Sequence, residues 1–91
     1  MTKTDPRAAA SIALRNANSV YRAAVAEATQ AEDIHTQAES TLALSSLDDW
    51  SEYVERTGAA LRIANRAVEV ALAERNRLYD IYLDLSAASK A

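Results

Sequence analysis

Apolar residues recur along this chain at alternating intervals of three and four, and the series runs twice. In the first run Leu14, Tyr21, Ala28, His35 and Leu42 hold one position of a seven-residue repeat, while Ala10, Ala17, Ala24, Ala31 and Ala38 hold the second, until Ser45 interrupts it. In the second run Leu47, Val54, Leu61, Val68, Arg75 and Tyr82 alternate with Trp50, Thr57, Ala64, Ala71, Leu78 and Leu85. Residues three and four apart share one face of an α-helix, so each run predicts an amphipathic helix. The first spans about 6–44, the turn about 45–46 and the second about 47–88. At roughly forty residues each helix is ~60 Å long.

Local signals agree with these limits. Asp5 can cap free backbone N–H groups, and Pro6 suits the first helical position because its missing N–H has no partner there. Ser45 or Ser46 can cap the second helix, with Asp48 or Asp49 three residues on to complete a capping box. The second repeat passes through Thr57-Gly58 in register, which predicts a continuous helix carrying a glycine that costs about 1 kcal/mol relative to alanine.

A short turn between long helices makes them antiparallel. The alanine position predicts a seam in which the two backbones approach closely and the larger residues fill the layers between. Apolar residues also lie off that seam: Val20 and Ile34 in the first helix, and in the second Leu72, Tyr79 and Leu83 on one side with Ile63 and Val70 on another. They predict further helices against the hairpin, most simply a homodimer that forms a four-helix bundle through Val68, Leu72, Arg75, Tyr79 and Leu83.

Composition supports an all-α class. Among 91 residues there are one Gly, one Pro and no Phe, with apolar residues, chiefly alanine, making up 49%. The chain has the size of a single helical-hairpin domain whose own core is small. With no cysteine, neither a disulfide nor a thiolate site can form. No apolar run reaches the ~18 residues of a membrane span, and the first residues have no apolar leader core, so a soluble, cytoplasmic protein without membrane contact is expected.

Charge is distributed unevenly. Residues 23–55 hold eight carboxylates and no Lys or Arg, whereas all ten basic residues, against five acidic ones, lie outside that stretch. Folding at Ser45-Ser46 would make an acidic tip and a basic open end. The tip residues Leu47, Asp48, Asp49, Trp50, Glu52, Tyr53 and Glu55 combine acid with an apolar anchor and predict docking to a protein with a basic surface. The same acid admits a second reading, a phage-type inhibitor that mimics nucleic acid in a basic groove. Tip-to-end self-assembly, sensitive to salt, is a third.

Other constellations carry less. Glu32 and His35 have the Glu-x-x-His spacing of carboxylate metal sites in helical bundles, but no inward Glu of the second helix and no second Glu-x-x-His completes the set, so no metal or other cofactor is assigned. The alternative for His35 is a seam residue bonded to a nearby carboxylate. Arg75, at a seam position, either lays its stem on apolar surface or fixes register against a partner. Arg15, Arg22, Arg62, Arg66 and Arg77 are interrupted by Glu69, Glu74, Asp80 and Asp84 and lack interleaved aromatics, so direct nucleic-acid binding is not expected. There is no Gly-rich phosphate loop and no Ser-His-Asp spacing, which makes the expected protein non-enzymatic.

In size, alanine-rich hairpin pattern and lack of cysteine the chain resembles the WXG100 family of small exported helical hairpins. That family carries Trp-x-Gly in the turn, where this chain has Trp50-Ser51-Glu52, and Tyr79 and Tyr82 are not followed at the family's spacing by an acidic residue. The resemblance is one of architecture. It implies export as an alternative to a cytoplasmic role and does not assign the family.

Overall fold

The computed structural model describes residues 5–44 and 48–90, and for residues 44, 48, 49, 89 and 90 the backbone alone. Helix α1 runs over Pro6–Leu44 and helix α2 over Asp48–Lys90, packed against each other along their lengths as a long antiparallel hairpin. The hairpin measures 67 × 25 × 13 Å, one helix thick in its smallest dimension.

At the start of α1 the Asp5 carboxylate accepts the Arg7 N–H at 3.0 Å, and the Asp5 carbonyl accepts the Ala9 N–H at 3.0 Å, so the first turn is closed by side chain and backbone together. Within the helix Thr29 and Thr41 donate their hydroxyls back to the carbonyls of Val25 and Gln37, four residues earlier. The predicted turn and caps at Ser45, Ser46 and Leu47, and the side chains of Asp48 and Asp49, lie outside the described residues.

The seven-residue register is visible in the burial. Each heptad position named above from Ala10 to Leu42 in α1 and from Trp50 to Leu85 in α2 is buried or half-buried. Among the described residues the deepest apolar ones are all alanines, Ala17, Ala28, Ala38 and Ala71, with Ala38 only 2% exposed. This follows from geometry. Two helices meeting along one seam can enclose a methyl group between their backbones, but a leucine or valine projects past the contact line and stays partly wet. Among the described residues no large side chain falls below 2% exposure. The hairpin therefore has a narrow core and wide uncovered flanks.

Helix α2 passes through Gly58 without a break. Gly58 is buried, and a methyl group built on it would come within 3.1 Å of His35 Cε1 and 3.6 Å of Nε2. The glycine is a seat for the imidazole of the opposite helix.

Candidate interaction surface

The tip-proximal part of the hairpin is built around Trp50. Its indole Nε1–H donates to the Ala38 carbonyl at 2.9 Å, tying the first turn of α2 to α1, and its ring stands 4.9 Å from that of Tyr53 at 43°. Beside them Ile34, Gln37, Ala38 and Thr41 complete an open groove of about 250 Å³. Trp50 is half-buried, whereas Tyr53 is 40% and Ile34 41% exposed. Of the residues expected at the acidic tip, Glu52 and Glu55 are exposed, and Glu52 pairs with Arg56 at 3.3 Å. Trp50 thus holds the helices together, and the free apolar surface beside it belongs to Tyr53 and Ile34.

The next polar element along the seam is His35. Its Nδ1 lies 2.8 Å from the Thr57 hydroxyl and its Nε2 lies 3.1 Å from a Glu39 carboxylate oxygen. Thr57, itself buried, can donate its proton to the Val54 carbonyl at 3.0 Å and then accepts from Nδ1–H. An imidazolium serves Thr57 and Glu39 at once. A neutral ring does so only when Thr57 turns its proton from Val54 to Nδ1. Both ring nitrogens are thus engaged by protein groups, and Glu32, the other member of the Glu-x-x-His pattern, is exposed. Sequence spacing pointed to the neighbours of His35 on its own helix. It missed Thr57 and Gly58, although a histidine and a glycine at matching levels of an antiparallel seam were the available signal.

Toward the open end the Arg75 guanidinium lies 5.1 Å from the centre of the Tyr21 ring, a cation–π contact between the helices. Arg75 and Val68, both expected in an interface between copies, are half-buried seam residues of the single hairpin. Leu72 is half-buried on the flank, Tyr79 49% exposed and Leu83 45% exposed. Other arginines pair along their own helix, Arg66 with Glu69 at 3.5 Å and Arg77 with Glu74 at 2.6 Å. The Arg77 hydrogen bond, opposed by desolvation and helped by charge attraction, holds the Glu74 carboxyl below the usual carboxylate range; the same bond raises Arg77. Such exposed pairs are weak in water.

Two broad faces flank the seam. Heptad geometry puts Val25, Leu72, Tyr79 and Leu83 on one, with seven charged residues among them: Arg15, Arg22, Glu32, Glu39, Glu55, Arg62 and Glu69. The opposite, valine–isoleucine face carries Val20, Ile34, Tyr53, Ile63, Val70 and Ile81, exposed by 38–72%. On this face α1 has a single charge between Ala9 and Thr41, at Glu27, and α2 has none between Arg56 and Glu74.

The fold also redistributes the charge. Because α2 folds back beside the acidic segment, Arg56, Arg62 and Arg66 join the tip half: residues 23–69 hold nine carboxylates and three arginines, a balance of −6. Residues 5–22 and 70–90 hold six basic and four acidic groups, a balance of +2. The polarity along the rod is retained, with a tip half less uniformly acidic than the linear sequence implies. Comparison with protein-family models, curated proteins and solved structures found no match.

Proposed function

We propose that this chain is a non-enzymatic module that works by protein–protein contact, using its uncovered apolar flanks for affinity and its charge polarity to orient a partner that presents a basic surface. The observation that carries this reading is the burial pattern. The seam closes in register, yet among the described residues ten large apolar side chains are 37–72% exposed and no large side chain is fully enclosed. Spaced apolar sets of this kind mark contact surfaces in soluble proteins. The grooves among the described residues are open and shallow, which suits contact between surfaces better than enclosure of a small substrate.

The test is affinity capture with the whole chain immobilised, run beside Tyr53→Asp and beside a variant with Asp48→Asn, Asp49→Asn, Glu52→Gln and Glu55→Gln. The reading predicts a protein retained by the natural chain, weakened by either change, with helix content unaltered by circular dichroism. If neither another protein nor a further copy of the chain is retained, or if retention is indifferent to both changes, the reading fails. Among the described residues no helix is long and apolar enough to cross a membrane, which is consistent with the partner being met in water.

A further inference from the structure

We infer that the occupant of the valine–isoleucine face is a second copy of this chain, laid antiparallel so that the tip half of each hairpin covers the open half of the other; this rests on the protein-contact reading above and names its partner. The exposed area is the first argument. A compact monomer of 9.9 kDa exposes ~5,200 Å². The hairpin exposes 6989 Å², about 1,800 Å² more than that expectation, where a standard interface needs only about 800 Å² from each partner. The surplus is enough for a dimer.

The second argument is symmetry within the face itself. On α2 the face reads Tyr53, Arg56, Ala60, Ile63, Ala67, Val70, Glu74, Arg77 and Ile81, and its large apolar residues and arginines, though not Ala60 and Glu74, are close to palindromic about Ala67. Tyr53 and Ile81 each lie fourteen residues from it, and Ile63 and Val70 lie four and three residues away. A two-fold axis across the rod at Ala67 sets Ile63 against Val70 of the second copy, Tyr53 against Ile81 and Ala67 against its own equivalent, with Glu74 over the small side chain of Ala60. Isologous contact requires such self-complementarity. The His35–Thr57 contact puts Ala67 level with about Val25, so the same axis sets Glu27, the one charge of α1 here, against Ala23 rather than its own equivalent. Arg56 and Arg77 come into one neighbourhood, each with a carboxylate beside it, Glu52 and Glu74.

The third argument is electrostatic. The antiparallel arrangement places the −6 tip half over the +2 open half, whereas a parallel one stacks like on like. The other broad face carries seven charges against five here, Glu27, Arg56, Glu74, Arg77 and Asp84, and lacks both this face's uncharged stretch from Ala60 to Val70 and this symmetry.

Sedimentation equilibrium tests the assignment. Ile63 and Val70 are 72% and 57% exposed in the hairpin, so Ile63→Glu/Val70→Glu should leave it folded, as circular dichroism would verify. The natural chain is expected to sediment as a dimer. The double variant should weaken dimerisation on the order of 100-fold or more, since two charges per copy are forced into an apolar contact. Tyr79→Glu/Leu83→Glu should dimerise as the natural chain does. In this cysteine-free background Ala67→Cys should form a disulfide-linked dimer under mild oxidation, while Ala73→Cys, on the outer surface of α2, should not.

A natural chain of single mass overturns the second copy. A dimer lost in the Tyr79/Leu83 variant and kept in the Ile63/Val70 variant overturns the face, and a dimer that Ala67→Cys fails to link overturns the antiparallel register. None of these results decides the broader reading, which stands or falls on capture of any protein partner.

Discussion

Gly58 and His35 form the most specific pair of residues in the hairpin. The ring is held on one side by Thr57 and on the other by Glu39, so it has little freedom to retreat from a methyl group 3.1 Å away. Gly58→Ala would ordinarily stabilise a helix interior by about 1 kcal/mol. The expected outcome is that urea denaturation shows that full gain in a His35→Ala background and distinctly less in the natural chain; equal gains would contradict the packing described. Trp50→Phe removes one hydrogen bond to Ala38 while keeping a ring, and should cost about 0.5–1.5 kcal/mol in the same assay. The sequence disclosed the seam positions of His35 and Trp50 but not their partners. A glycine in a helical repeat looks like a defect until the opposing side chain is known, and that pairing depends on the length of the turn.

At the level of the elements, two seven-residue repeats and an Asp-Pro start were enough to place both helices and the faces they turn toward each other. The reason is that an uninterrupted repeat leaves helices no choice of seam. The close approach of the backbones at alanine makes a sharp prediction. Ala38→Leu, at 2% exposure, should destabilise the hairpin by about 1–3 kcal/mol. Ala24→Leu and Ala31→Leu, at half-buried seam positions, should follow in the same direction, and Ala26→Leu on an exposed surface should be near neutral. Thermal melts in which Ala26→Leu costs as much as Ala38→Leu would contradict the alanine seam. What the linear pattern hid at this scale was the allocation of Val68 and Arg75. Both fall on the main repeat, and only the packed hairpin shows them occupied by its own α1 side, with Arg75 over Tyr21.

For the whole molecule, a slab one helix thick cannot enclose large side chains, and its stability and its function are tied to what lies on its broad faces. The excess of apolar residues off the seam was readable beforehand, since Val20, Ile34, Ile63, Val70, Leu72, Tyr79 and Leu83 all stand out at helical spacing. Their grouping within α2, Leu72, Tyr79 and Leu83 on one side and Ile63 and Val70 on the other, was readable too; which α1 residues join each side was not, because that follows from how the two helices pack rather than from either alone. The charge pattern changed for the same reason: folding brings Arg56, Arg62 and Arg66 alongside the acidic stretch of α1. Contact driven by apolar faces and oriented by charge should respond to salt in rate more than in equilibrium, because ions screen steering without removing buried area.

The most direct measurement is the molar mass of the unaltered chain by light scattering on a sizing column, at low and at high salt. A mass of twice 9.9 kDa, held across both conditions, is the predicted result. A mass of 9.9 kDa in both would contradict the association of copies through an apolar face, and a larger species that dissolves with salt would replace it with tip-to-end assembly through charge.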